Sequence, residues 1–149
     1  MQGNVGRDTR PEVAFRRALY AVGFRYRKHN RPEPTLRVRA DVVLVRARVF
    51  VFVDGCFWHG CPEHFRLPSK NAEWWRSKID RTIARDRAQT DVLLSRGWTV
   101  IRVWEHVAVH EAVAAVGRVV LPRITYRAVR HRSAALGRTA MEVDSAEGC

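Results

Sequence analysis

Residues 39–65 read RADVVLVRARVFVFVDGCFWHGCPEHF. Two runs dense in β-branched and aromatic side chains, Ala40–Val45 and Val49–Val53, flank Arg46-Ala47-Arg48. Such side chains favour a pleated, buried surface, so the stretch predicts a hairpin of two central strands. Beyond Val53 the character changes abruptly to Asp54, Gly55, Cys56, two adjacent aromatics, His59, Cys61 and His64. A strand that hydrophobic, running straight into side chains able to bind metal or move protons, points to a site at one edge of a sheet.

Upstream, Asp8-Thr9-Arg10-Pro11-Glu12 reads as a helix entry. Thr9 or Asp8 is the cap, Pro11 sits in the first turn, and Glu12 stands three residues after Thr9 as in a capping box. That helix is expected to reach Val22 and stop at Gly23, followed by a basic, irregular approach from Phe24 to Pro34. Downstream, residues 71 to 95 form the longest helical candidate. At helical pitch Trp75, Ile79, Thr82, Ile83 and Leu93 fall within one arc about 100° wide, the expected buried stripe, and Asp86 lies inside it. Gly97 ends this helix, Thr99–Trp104 is a third strand, and Glu111 to Val120 a closing helix. The order helix, strand, strand, helix, strand, helix predicts an α/β sandwich around a small mixed sheet. The folded domain is expected over residues 1–122, with 123–149 a basic, loosely held C-terminal tail.

The full chain has 149 residues, room for one domain and its core. Lys and Arg total 27 against 15 acidic residues, and only Lys28, Lys70 and Lys78 are lysines. The planar guanidinium fork grips two phosphate oxygens at once. A formal charge of +12 therefore favours a polyanionic partner, nucleic acid first and an anionic membrane surface second, with an arginine-rich proteome as the plain alternative. No stretch approaches the ~20 apolar residues of a membrane span, and the N-terminus lacks a signal-peptide run, so a cytoplasmic protein is expected. Cys56, Cys61 and Cys149 are too few and too unevenly spaced for a disulfide framework, which leaves a metal or free thiols in a reduced compartment.

Three constellations could carry chemistry. Asp41 opens the first strand and Asp54 closes its partner, so a hairpin brings both to one edge. Paired carboxylates there suit a hard divalent cation such as Mg²⁺, although strand-end aspartates also serve as turn groups. Glu12 reaches the same edge if the first helix packs against it, and otherwise belongs to its capping box. Second, Cys56-x₄-Cys61-x₂-His64 with His106 after the third strand offers the thiolates and imidazoles that tetrahedral Zn²⁺ prefers, against two unrelated cysteines. Third, Phe57-Trp58 are either core caps or wedges that enter a base stack. His59 is then a spare imidazole, available as a ligand or as a general acid or base. An unpaired buried carboxylate is unfavourable, and pairing Asp86 with His59 would remove that objection.

Five blocks in order, Gly6-Arg7-Asp8-Thr9-Arg10-Pro11-Glu12, Arg39-Ala40-Asp41-Val42-Val43, Val51 to His64, Trp74-Trp75-x₃-Ile79-x₆-Asp86-Arg87 and Gly97-Trp98-x-Val100-x₂-Val103-Trp104-Glu105, resemble the Vsr very short patch repair endonucleases. The resemblance covers roughly residues 5 to 106. It implies a restriction-endonuclease-like fold of the PD-(D/E)xK type, a central mixed sheet flanked by helices, with a structural zinc site. It also implies Mg²⁺-dependent nicking of the thymine strand at T·G mismatches in double-stranded DNA, the product of 5-methylcytosine deamination. By the same resemblance Asp41 is the principal metal-binding carboxylate, with Val53 beside it on the cofactor, and Asp54 takes the neighbouring active-site position. Glu12 is the acid that holds a water near the metal, His59 the catalytic imidazole, and Asp86 the carboxylate that orients it. Phe57, Trp58 and Trp75 match the DNA-contacting wedge, and Cys56, Cys61, His64 and His106 the zinc set. A nucleoid-associated bacterial monomer, with mismatch-repair proteins as possible partners, completes the expectation. Ala40 stands where a proline is usual, His106 where cysteine is frequent, and Thr82 where asparagine is common. The other readings are a restriction-like nuclease of unmismatched or modified DNA and a zinc-stabilised DNA-binding module without catalysis.

Overall fold

The hairpin forms, and its shape follows from its residues. In the computed structural model, which describes residues 8–129 and 140–143, β1 (Val42–Leu44) and β2 (Val49–Asp54) pair antiparallel with Val43 opposite Phe50. β1 is shorter than the apolar run that predicts it and, against the expectation of two central strands, lies at the end of the sheet order. Arg48 adopts a left-handed φ of 55° to close the turn, and its guanidinium lies 4.5 Å over the Trp98 ring and donates to the Arg96 carbonyl at 2.9 Å. The turn is thereby pinned to the far end of the next helix.

The other elements are α1 (Arg10–Ala21), α2 (Ala72–Ser95), β3 (Thr99–Trp104), α3 (Val109–Val129) and β4 (Ala140–Val143). The sheet has four strands in the order β1-β2-β3-β4. β3 runs parallel to β2, with Asp54 paired to Trp104, and β4 runs parallel to β3. α2 is the crossover between β2 and β3.

Period-two alternation sorts the strands' side chains onto two faces. Val42, Leu44, Val49, Val51, Ile101 and Val103 meet Phe15 and Leu19 of α1 and Ala112, Val116 and Val120 of α3. Val43, Phe50, Phe52 and Val100 meet Leu93 of α2, together with Trp98. The result is the expected α/β sandwich. On α2 the buried residues Ile79, Asp86 and Leu93 recur every seven positions, so one face holds two hydrophobes and an acid against the sheet. Among the described residues no helix is long and apolar enough to cross a membrane.

The C-terminal reading needs correction. The closing helix was expected over Glu111 to Val120 and a loose basic tail from Arg123. Instead α3 runs from Val109 through Pro122 to Val129, and Ala140–Val143 add an edge strand to β3. Pro122 removes one backbone donor but leaves the turns on either side able to continue, and Thr125 Oγ1 donates back to the Leu121 carbonyl at 2.8 Å. The remainder of the expected tail lies outside the described residues.

Candidate active site and metal-binding group

The acidic centre begins at α1. Thr9 caps the helix, its hydroxyl bonds Glu12 Oε1 at 2.9 Å, and Glu12 Oε2 accepts from the Asp8 backbone N–H at 2.9 Å. Glu12 therefore does hold a capping box. It is also buried and lines the same cleft as Asp41. Asp41 precedes β1, and its Oδ2 accepts the Val53 N–H at 2.7 Å, tying the carboxylate to the neighbouring strand. Burial pushes the Asp41 carboxyl up to about 6, with the charges of Glu12 and Asp54 adding to it against the Val53 hydrogen bond and His29. An acid so placed gains from a cation more than an exposed one does.

Asp54 corrects the simplest picture of two free carboxylates. It does share the cleft with Asp41. Both of its oxygens, however, accept from Arg102 Nη1, at 2.8 and 2.7 Å. Arg102, which the sequence does not single out, thereby joins the candidate site. The available signal was one arginine inside the otherwise uncharged strand TVIRVW.

His59 sits on the turn after β2, with its backbone N–H on the Gly55 carbonyl at 3.1 Å. Its Nδ1 is 2.5 Å from Asp86 Oδ2 and 3.6 Å from Asp54 Oδ1. The pairing of His59 with Asp86 thus forms as expected. Nδ1–H donating to the carboxylate leaves Nε2 as the nitrogen free to exchange a proton. Burial works against the imidazolium, but the hydrogen bond to Asp86 and the charges of Asp54 and Asp86 outweigh it, and the His59 pKa is raised. For Asp86 burial acts upward, and His59, Arg102 and Arg85 together hold it below the ordinary carboxylate range. Each group of the pair keeps its partner charged.

These groups line a cleft of ≈ 810 Å³, with Arg31, Arg37, Arg39 and Arg85 on its walls beside Phe57 and Trp58. Behind Asp54, His59, Asp86 and Arg102 lies a second cavity of ≈ 580 Å³ under α2 and β4. The four side chains form the partition between the two spaces. Carboxylates at the floor and guanidiniums at the rim suit a phosphodiester held near a divalent cation.

The aromatics gather as one ledge. Phe57 meets Trp58 and Trp75 at ring separations of 5.2 and 5.1 Å, and Trp74 meets Trp75 at 4.8 Å. Lys78 Nζ stands 4.8 to 5.5 Å from the rings of Trp58, Trp74 and Trp75. Trp58 is 39% and Trp74 52% exposed, so neither is a core cap. Trp74 and Lys78 extend the ledge beyond the three aromatics expected.

Cys56, Cys61, His64 and His106 come together, and their donor atoms all lie within 4.8 Å of one another. The sulfur-to-Nδ1 separations run from 3.1 Å (Cys56 to His106) to 4.0 Å (Cys56 to His64). Donors around one tetrahedral ion at ~2.0–2.3 Å stand roughly 3.5 Å apart, so the set fits a single ion. Burial and the adjacent Cys61 push the Cys56 thiol up to about 12, and His106 Nε2 is buried without a hydrogen bond, Glu63 Oε2 standing 3.7 Å away. The Glu105 carboxylate steadies the group by accepting from the Cys56 N–H at 2.7 Å.

A family model described as DNA mismatch endonuclease Vsr matches residues 1–64. The chain is 46% identical over 118 residues to the type II nicking enzyme V.NaeI of Lentzea aerocolonigenes, covering 78% of this chain and 71% of that protein. It is 37% identical over 121 residues to the type II nicking enzyme V.NmeDIP of Neisseria meningitidis serogroup C, covering 80% of each. It is also similar to the DNA mismatch endonuclease Vsr of Escherichia coli (strain K12), at 33% identity over 106 residues, 70% of this chain and 66% of that protein.

Proposed function

The chain belongs to the Vsr family of DNA mismatch endonucleases, and from that premise we propose that it nicks the thymine strand of duplex DNA at a T·G mismatch. The observation that carries the reading is one cleft holding the Asp41 carboxylate, the imidazole of His59 tethered to Asp86, and an aromatic ledge at its rim. The fold is then of the restriction-endonuclease type. The protein acts as a monomer on the bacterial nucleoid, with mismatch-repair proteins as its candidate partners.

Asp41 and the Val53 backbone would hold Mg²⁺, which when bound supplies positive charge that polarises the phosphate and acidifies a water. Glu12, buried beside Asp41, orients that water. His59 faces the same phosphate through Nε2. Its raised pKa keeps more of it protonated at neutral pH. It is therefore better suited to place positive charge on the phosphate, or to give a proton to the departing oxygen, than to take one from water. Asp86 holds the ring by Nδ1. Phe57, Trp58 and Trp75 enter the stack beside the mispair, and the arginine rim grips the backbone. Cys56, Cys61, His64 and His106 would hold Zn²⁺, which when bound would staple the turn that carries both the wedge and His59, outside the chemistry.

One observation favours a second reading, nicking of matched or modified duplex: the relatives at 46% and 37% identity carry names that speak of nicking and not of a mismatch. A single assay separates the two. Labelled T·G and matched duplexes of one sequence are incubated with and without Mg²⁺. Nicking of the thymine strand only in the T·G duplex and only with Mg²⁺ supports the first reading, and equal nicking of both duplexes supports the second.

A further inference from the structure

Arg102 is the only charged side chain in β3, and alternation puts it on the face shared by Phe50, Phe52 and Val100. That face packs under α2, a position where a hydrophobe would satisfy the core. Instead the guanidinium lies 4.5 Å over the Phe52 ring and spends its donors on polar groups of two elements. Nη1 donates to both Asp54 oxygens at the end of β2. Nε donates to Thr90 Oγ1 at 3.3 Å, and Nη2 to the Asp86 carbonyl at 3.5 Å, both on α2. Nη2 also stands 3.8 Å from Asp86 Oδ1. One planar fork thus joins the strand and the helix that supply the two carboxylates nearest His59.

Those carboxylates compete for one proton. His59 Nδ1 lies 2.5 Å from Asp86 and 3.6 Å from Asp54, so a modest swing of the ring would exchange one acceptor for the other and turn Nε2 to a new direction. We propose that Arg102 is the positioning residue that settles this competition: by occupying both oxygens of Asp54 it leaves Asp86 to take the His59 N–H, which fixes the imidazole's tautomer and aim. Asp54 then serves as the partner of Arg102 and not as a metal ligand. Nη1 takes Asp54 while Nε and Nη2 reach Thr90 and the Asp86 carbonyl on α2, a fixed spread of donors that makes an arginine, and not a lysine, fit this place. The inference rests on the reading of His59 as the catalytic imidazole.

Its consequence is a specific coupling. With Arg102 gone, Asp54 becomes a buried carboxylate without its guanidinium, free to capture His59. Neutralising Asp54 in the same chain should relieve the damage. The experiment measures single-turnover nicking of a T·G duplex at saturating Mg²⁺ and DNA, with duplex affinity and melting temperature, for the parent, Arg102→Met, Arg102→Lys, Asp54→Asn, the Arg102→Met/Asp54→Asn double variant, Ile101→Val and His59→Ala. Arg102→Met should slow nicking by about 10–100-fold, as loss of an orienting partner does, while duplex affinity stays within about twofold. The double variant should cut about tenfold faster than Arg102→Met alone, a coupling usual for side chains in contact. Ile101→Val, a cavity in the same strand, should lower the melting temperature and leave the rate unchanged. Should Arg102→Met not fold, Arg102→Lys keeps the charge without the fork and should still lose rate.

A double variant no faster than Arg102→Met overturns the proposal, as does an Arg102→Lys protein cutting at the parental rate. So does a rate loss in Ile101→Val matching its loss of melting temperature, since Arg102 would then be structural only. His59→Ala at the parental rate overturns the catalytic reading underneath as well, and so is told apart from failure of the inference alone.

Discussion

Residues 54–65 carry two polar clusters within a few residues of each other, and the two are completed in different ways. At the head of the turn, Asp54, His59 and Asp86 are satisfied from within the chain, since Arg102 engages Asp54 and the imidazole engages Asp86. At its tail, Cys56, Cys61, His64 and His106 face one another with donor atoms within 4.8 Å and the Cys56 thiol pushed up to about 12. Opposite charges close the first cluster as the protein folds. If the set holds zinc as proposed, a cation closes the second. The contrast teaches where each part of the proposed site gets its order: the imidazole is aimed by protein groups, and the turn that presents it would be held by a metal.

The largest effect that could break this contrast is metal removal. Structural zinc binds zinc-finger peptides with ~10–16 kcal/mol, comparable with the ~5–15 kcal/mol net stability of an ordinary domain. Strong chelation, or Cys61→Ser, is expected to bring a large fall in melting temperature and loss of nicking together, with elemental analysis giving about one zinc per chain before treatment. A folded, active preparation with no zinc would erase the contrast. His59→Ala should keep its full metal content, because His59 belongs to the other cluster.

Next come the catalytic effects at the head of the turn. His59→Ala is expected to slow single-turnover nicking by ~10²–10⁴, the usual worth of a positioned acid or base. Asp86→Asn should cost less, since it loosens the ring and leaves it in place. Neither should move the melting temperature as chelation does. An Asp86→Asn protein slower than His59→Ala would mean that the carboxylate acts directly on substrate.

Stability against pH gives a smaller and signed effect. Asp41 titrates at about 6 in the fold against 3.8 unfolded. Between these values the folded protein holds a proton that the unfolded chain has released. Stability contributed by this group is therefore present below pH 3.8 and lost as pH rises through 6, on the order of 3 kcal/mol in all. Asp41→Asn should raise the melting temperature at pH 7 and barely change it at pH 4 in the absence of divalent cations. Mg²⁺ should shrink the pH 7 difference by stabilising the parent alone. A variant stabilised equally at both pH values would show that burial of Asp41 carries no such charge penalty.

The smallest effect tests the seat of the turn on α2. Gly60 has φ of 67°, and a Cβ there would lie 2.9 Å from Ile83 Cδ1 and 3.1 Å from Ile79 Cγ2. Gly60→Ala should cost about 1–3 kcal/mol from left-handed strain and overpacking together. Chemical denaturation of the metal-loaded protein measures it, and a neutral result would mean that the turn does not rest on those isoleucines.

Much of this was legible in the residues because periodicity reports burial. Val42 to Asp54 alternates onto two faces as a sheet requires, and Asp86, out of place on an apolar stripe, announced a partner that proved to be His59. Arg102 was not legible in the same way, because one arginine in a six-residue strand reads as an outward-facing position until the helix above it is placed. Arg31, Arg37 and Arg39 reach the cleft from an irregular segment held by Trp98 Nε1 donating to Glu33 at 2.8 Å and by backbone pairing of Arg27 with Val43. Those are long-range contacts that no local pattern encodes. The far half of α3 and β4 were missed for another reason: Pro122 is a strong local stop signal, and parallel pairing of β4 on β3 leaves no turn residues to announce it.

Asp41 is where the reading of the cleft as a nuclease centre is most exposed. Single-turnover cleavage of a T·G duplex by Asp41→Ala at saturating Mg²⁺, with binding followed on the same duplex by fluorescence anisotropy, tests it directly. The expected result is nicking abolished while duplex affinity survives, because on the proposed mechanism the residue would meet the metal and not the bases. Cleavage at the parental rate would contradict it and place the chemistry elsewhere.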